Sequence, residues 1–230
     1  MALILSVETS VNGCSAAIHE NGTVRSNFEL FEQRSSAEML TVLIEQALKV
    51  IKKDFSDLDA VAVSKGPGSY TGLRIGVSTV KGICYAANLP LVSINSLDLM
   101  ANQIKPTFDG LVCPMLDARR MEVYCKVIDS TGVEKMETTA VVVDENSFSN
   151  FLKNGKVLFC GEGAEKIKNV INHDNALFLG AEVRPKASDM GKAAYAKFEK
   201  GYFENVSDFE PFYLKEFVGT TPSKNKKVTA

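Results

Sequence analysis

A two-lobed α/β protein is the fold class this sequence predicts, and three observations predict it. Read along its 230 residues, the chain gives one order of elements, β-β-β-α-β-α-β-α, twice over, in residues 1–105 and again in 106–218. The turns of the two copies answer to one another: Glu8 to Asp117, Glu20-Asn21-Gly22 to the stretch Asp129 through Gly132, and Gly66-Pro67-Gly68 to Gly161-Glu162-Gly163. The composition, 45% hydrophobic and 23% charged, is that of a chain able to bury a core. Mixed sheets flanked by helices follow from alternating strands and helices of this kind.

In the first copy, residues 3–7 and 14–19 read as strands joined by a polar turn, and Asn21-Gly22 marks a hairpin into a third strand at 23–30. Ser35 and Glu38 have capping-box spacing ahead of a helix to about Lys53, whose core stripe is Leu40, Leu43, Ile44, Ala47, Leu48 and Ile51. Met39, Val42 and Val50 widen its apolar face. An apolar, β-branched run at 58–63 is a buried strand, and a glycine-rich turn leads into a helix over residues 72–88. Pro90 ends that helix. A short strand follows at 91–94, then a helix capped by Asn95 or Ser96 and ended by Pro106.

The second copy gives strands at 111–116, 122–128 and 133–143, and a short helix at 144–153 with Asp144 or Ser147 near its cap. A strand at 156–160, a helix at 164–171, a strand at 176–179 and a helix at 188–200 capped by Ser188 complete it. The last helix is expected to pack back on the first lobe. Residues 219–230, rich in Lys and Thr, read as a disordered tail.

A net charge of −2 and a pI near 5.8 argue against a chain that holds nucleic acid by itself. Apolar runs fall far short of a bilayer span, residues 1–5 read as a first strand rather than a signal peptide, and the expected location is the cytoplasm. Five scattered cysteines without a Cys-x-x-Cys pair read as buried free thiols. Two histidines, His19 and His173, have no second ligand at metal-binding spacing, and no nucleophile elbow is present.

The stretch Ser64-Lys-Gly-Pro-Gly-Ser-Tyr-Thr-Gly-Leu-Arg-Ile-Gly76 carries the functional question. Strand, glycine turn and helix N-terminus make a pocket of free N–H groups suited to a phosphate, and the same geometry serves a close-packed turn. The helix it opens has one polar stripe, Arg74, Ser78, Lys81 and Tyr85. Everything else on it is small or apolar, so it is either sandwiched within its own lobe or open to another subunit. Glu8 and Asp117, at the tips of corresponding hairpins, are the candidate carboxylates. Arg119, Arg120 and Met121 crowd the second of these turns where a phosphate cradle would need glycine.

The order of elements resembles the actin-like, sugar-kinase and heat-shock ATPase (ASKHA) fold. Gly66-Pro-Gly-Ser-Tyr-Thr-Gly72, with Val7-Glu-Thr-Ser10, Leu116-Asp-Ala-Arg119, Glu122-Val-Tyr124 and Glu210-Pro-Phe-Tyr-Leu214, makes the whole chain resemble one family. This is the TsaB (YeaZ) family, dimerisation subunits of the bacterial tRNA threonylcarbamoyladenosine (t6A) machinery. The resemblance implies a cytoplasmic scaffold, not an enzyme on its own, that supports the metal-dependent paralogue TsaD. The complex would modify N6 of adenosine 37 in ANN-decoding tRNA. The further partners implied are the ATPase TsaE, a homodimer when TsaD is absent, and tRNA only through the complex. No cofactor is expected to be tightly bound, and ATP or ADP is expected only at an interface of the assembled complex.

The resemblance also assigns residues. The metal-ligand positions of the catalytic paralogue fall on Ser96 and Met100, neither a plausible ligand, so no metal is expected. The family pairs through first-lobe helices, here 37–53 and 72–88. The implied partner face is Met39, Val42, Leu43, Gly72, Arg74, Ile75, Gly76, Ser78, Thr79, Val80 and Ile83, and glutamate at Gly76 or Val80 is expected to block pairing without unfolding the monomer. A remnant anion or nucleotide site would fall on Glu8, Gly66, Gly68, Thr71, Gly72 and Asp117, with Glu8 standing where the family commonly has Asp. Two other readings stay open: an autonomous ATP-dependent kinase of the actin-like fold, and a glycoprotease-like metallopeptidase. Glycine-poor hairpins weigh against the first and the missing His-x-x-x-His against the second.

Overall fold

The computed structural model describes residues 1–32, 36–105 and 107–214. Among these residues, alternating apolar stretches and tight turns give ten strands: β1 (Leu3–Glu8), β2 (Cys14–Glu20), β3 (Thr23–Leu30), β4 (Ala60–Gly66), β5 (Leu91–Asn95), β6 (Leu111–Asp117), β7 (Glu122–Ile128), β8 (Glu134–Val142), β9 (Val157–Cys160) and β10 (Ala176–Leu179). The α-helices are α1 (Ser36–Val50), α2 (Tyr70–Ala87), α3 (Ser96–Ile104), α4 (Ser149–Leu152), α5 (Glu162–Ile167) and α6 (Gly191–Glu199). They build two five-stranded sheets, ordered β3-β2-β1-β4-β5 and β8-β7-β6-β9-β10. Corresponding strands hold corresponding places. In each sheet the first three strands form an antiparallel meander, and the first, fourth and fifth run parallel. The duplicated order expected from the sequence is the observed one.

Helices α1 and α2 lie side by side on one face of the first sheet, where Leu40, Ile44, Ala47 and Leu48 of α1 meet Val7, Ile18 and Val63 of the strands. The opposite face packs on Leu99 of α3 and on Met190 and Ala194 at the start of α6. Helix α3 also faces the second sheet: Leu97, Met100, Ala101 and Ile104 share a core with Val112, Leu116 and Cys160. Helices α4 and α5 cover that sheet's far side around Phe159. Helix α6 and residues 201–214 therefore belong to the second copy in sequence yet lie against the first sheet. Glu204 N donates to Leu91 O at 2.8 Å, which partly covers the free edge of β5.

Several expected boundaries move, each for a local reason. Helix α2 starts at Tyr70, ahead of the expected position, because the Ser69 hydroxyl accepts from Gly72 N at 3.2 Å and caps it there. Helix α1 ends at Val50, before a turn with Lys52 at positive φ. Residues 144–147 form a turn closed by Asp144 on Ser147 and Asn146, and Phe148 has φ of 63°, so only four residues of the expected 144–153 helix are α-helical. Ser188 does not cap α6: it lies in a 3-10 turn at Ala187–Met190, and its hydroxyl faces Glu29 at 3.4 Å. Asn95 caps α3 through Leu97 N at 2.9 Å. Ser35, Pro106 and the 219–230 tail lie outside the described residues. Among those described, no helix is long and apolar enough to cross a membrane.

Candidate functional site: the glycine turn and the outer helix face

The glycine turn leaves the carboxyl end of β4 and enters α2, and the β1–β2 turn lies directly behind it. Ser69 N donates to Ser10 O at 2.7 Å. A Cβ built on Gly68 would overlap Ser10 O, one on Gly72 would overlap Thr9 O, and one on Gly76 would overlap Thr9 Oγ1. The three small residues thus admit the Thr9-Ser10 backbone against the first turns of α2. Of the two readings open from the sequence, the geometry shows the close-packed turn, with part of the helix N-terminus already engaged by Ser10 and Ser69.

Glu8 ends β1 at 1% exposure. One carboxylate oxygen accepts from Ser10 N. The other, Oε2, has no hydrogen-bond partner among the described residues, and neither do the buried hydroxyls Thr9 Oγ1 and Ser10 Oγ. Burial raises the Glu8 pKa above its ordinary value, and the polar groups of Ser10 and Ser64 pull it back. Asp117 is not its equal. It is exposed, accepts from Arg119 N at 2.7 Å and pairs with Lys166, which also donates to Glu122 O at 2.5 Å. Arg119 and Arg120 both hold positive φ in that turn. The structure therefore brings Glu8, Gly68 and Gly72 together through one turn, while Thr71 is exposed on α2 and Asp117 is engaged by its own lobe.

At the two positions where the catalytic paralogue would place metal ligands, Ser96 exchanges a hydrogen bond with Ser64 at 2.7 Å, both fully buried. Met100 is also fully buried, and its terminal methyl occupies the space beside Gly161 in the second copy's glycine turn. Among the described residues no group of three or more His, Cys, Asp or Glu is placed to hold a metal ion. His19 is a core residue: Nδ1 accepts from Ser6 Oγ at 3.0 Å and Nε2 donates to Ser188 O at 3.2 Å, with burial lowering its pKa. That second bond ties β2 to the segment entering α6.

The outer face of α1 and α2 is a subset of the residues expected there. Leu43, Gly72, Gly76 and Val80 belong to the protomer's own core, Val80 at 0% exposure. A glutamate at Gly76 or Val80 would break the lobe itself, which corrects the expectation of a folded monomer. What faces outward is Val42 at 40% exposure, with Arg74 and Ser78, and the half-buried Met39, Ile75, Thr79 and Ile83 between them. Gly82 and Ala86, small residues of α2 outside the expected partner face, join it; Ala86 is exposed next to Tyr85, itself at 87%. Their signal was present: they continue the Arg74–Ser78 row at helical spacing. The Glu210–Leu214 motif also had no expected position. Phe212 N donates to Lys65 O at 2.7 Å, Tyr213 packs on Tyr70 at 5.0 Å, and Lys81 holds Ser207 O and Phe209 O at 3.0 and 2.9 Å. The late motif buttresses the glycine turn.

Comparison with known proteins agrees with this architecture. The family model described as TsaD, tRNA N6-adenosine threonylcarbamoyltransferase, matches residues 30–225. A "tRNA threonylcarbamoyladenosine biosynthesis protein TsaB" of Escherichia coli is 28% identical over 94% of this chain and 95% of its own length. A TsaB of Bacillus subtilis is also 28% identical, over 81% of this chain and 84% of its own. The solved structure of YeaZ from Pseudomonas aeruginosa superposes with a TM-score of 0.80 at 24% identity, over 93% of this chain and all of that one.

Proposed function

The chain belongs to the TsaD family, tRNA N6-adenosine threonylcarbamoyltransferase, and is of its TsaB/YeaZ type; from that premise we propose that it is the non-catalytic scaffold subunit of a t6A-synthesising complex. Its role lies in threonylcarbamoyladenosine biosynthesis, as relatives matched over most of their length are named. In the reading proposed, it binds the catalytic paralogue TsaD through the outer face of α1 and α2, and that complex modifies adenosine 37 of ANN-decoding tRNA. TsaE joins the assembly, tRNA is reached through the complex in the cytoplasm, and the same face pairs two copies of this chain when TsaD is absent. No cofactor is held tightly by this chain alone, and ADP or ATP is met at an interface of the assembly.

The observation that carries the reading is the use made of Ser96 and Met100. Both are spent on packing: Ser96 closes a hydrogen bond with Ser64, and Met100 fills the space beside Gly161 between the two sheets. Support also comes from the turn of residues 9–10, which lies where a phosphate would approach α2.

The test is co-expression with TsaD, followed by copurification and a tRNA-modification assay. Val42→Glu changes an exposed position and Gly82→Arg one with open space before it, so both leave the lobe's core intact. Each is expected to abolish copurification and modification while the monomer melts as wild type. Normal copurification of both variants would sink the interface, and full modification without this chain would sink the scaffold role.

A further inference from the structure

A cleft apart from the outer face of α1 and α2, reaching Lys65 at the entry to the glycine turn, opens where the edge strand of one sheet meets the edge strand of the other. β5 and α3 line one side, β7 and β8 the other, and α6 with Phe212 completes the wall. Its volume, about 650 Å³, is in the range that holds small molecules. The two lobes meet across it: Asn95 Nδ2 donates to Thr138 Oγ1 at 3.0 Å. It also lies beyond the carboxyl ends of the parallel strands β4 and β5, which contribute Lys65 and Asn95, and that is the end of an open α/β sheet where ligand crevices form.

The charges in this cleft do not cancel evenly. Lys126 is nearly buried and satisfied by Asp98 at 2.6 Å and Glu134 at 3.3 Å. Lys135 turns to Asp129 at 3.0 Å. Lys126 is thus one cation shared by two carboxylates, and Glu137 adds another acidic side chain to the lining; Lys65 and Lys197 are the two lysines of the lining with no ion pair among the described residues. Lys197 Nζ donates to the neutral carbonyl of Ser93 at 2.7 Å. Lys65 Nζ sits 6.0 Å from the centre of the Phe212 ring and forms no ion pair among the described residues. Both line the cleft. Burial and then the charge of Lys65 lower the pKa of Lys197, against the opposing charges of Glu204 and of Asp98, the latter paired with Lys126.

We propose that this cleft binds a small molecule by a single anionic head group, phosphate or carboxylate, held between Lys65 and Lys197. An anion there would accept charge-assisted hydrogen bonds from both and remove their mutual repulsion. Phe212 offers an apolar wall to the rest of the ligand. Glu134 and Glu137, on the β8 side, disfavour a long polyanion and so select one compact head group.

The test uses the full chain without any partner protein, so its outcome is independent of the scaffold reading. Inorganic phosphate and, separately, acetate are titrated at constant ionic strength and followed by calorimetry. Saturable binding of either is expected, weakened about tenfold or more in Lys65→Gln and in Lys197→Gln, as loss of a charge-assisted hydrogen bond implies, and unchanged in Lys153→Gln. Binding of phosphate alone would point to a phosphorylated ligand and binding of acetate alone to a carboxylate. Lys65 forms no ion pair within the described fold, so its variant reports on binding even if Lys197→Gln is destabilised. No saturable binding of either anion, or wild-type affinity in both lysine variants, overturns the proposal.

Discussion

Two buried titratable residues give the first sheet opposite dependences on pH. His19 is held neutral by burial, with Ser6 and Ser188 as its partners. Its folded pKa lies below the ordinary 6.5, so the unfolded chain binds the extra proton first. Its contribution is full above about pH 6.5 and is lost as pH falls from there to the depressed folded value. Glu8 runs the other way. Its folded pKa is raised above the ordinary 4.5, so the folded chain keeps a proton the unfolded chain has released, and stability falls as pH rises from 4.5 to the folded value. We expect Glu8→Gln to raise the melting temperature at pH 7 and to erase that slope, as urea unfolding from pH 4 to 8 would read; an unchanged or lower melting temperature contradicts the buried, half-satisfied carboxylate. His19→Gln should lose the acid-side slope while lowering stability at pH 7 by about 1–3 kcal/mol through its unsatisfied partners. A slope that survives in that variant places the titration elsewhere.

At the scale of the element, α2 holds two kinds of glycine. Gly72 and Gly76 face the Thr9-Ser10 turn, while at Gly82 a β-carbon would meet nothing within 4 Å. Alanine at Gly72 should therefore destabilise by about 1–3 kcal/mol or more through overpacking against backbone, despite its better helix propensity. Alanine at Gly82 should stabilise the isolated chain by up to about 1 kcal/mol. Thermal melts of the two variants moving the same way would refute this division. The polar row Arg74, Ser78, Lys81 and Tyr85 was legible because helical spacing is local, and so were the core stripe of α1 and the hairpin at Asn21-Gly22. Which side of α2 its small residues face was not legible: Thr9 and Gly72 are separated by most of the first lobe, and only the strand order β2-β1-β4 brings them together. For the same reason Gly76 and Val80 read as surface and are core, and the buttress formed by residues 207–213 had no local signal.

For the molecule as a whole, the duplicated sequence produced two sheets with the same strand order, and the second copy lends its last helix and closing segment to the first. The two copies have diverged in what their turns do. Around Glu8 the turn is buried against α2, whereas around Asp117 it is exposed and paired to Lys166. This divergence was foretold at Arg119 and Arg120, where bulky residues replace glycine, but not at Thr9-Ser10, whose burial depends on the packed lobe. Under the function proposed, the side of α1 and α2 turned away from their sheet is the working surface of the molecule. The most direct measurement is the mass of the complex formed with the catalytic paralogue, by light scattering, for wild type and for Gly82→Arg, with circular dichroism on the same samples. A stable complex is expected for wild type, free subunits for Gly82→Arg, and, at dilutions where neither isolated chain pairs with itself, identical melting of the two to within about 1 kcal/mol. A complex of wild-type mass formed by a normally folded Gly82→Arg chain would contradict the pairing surface.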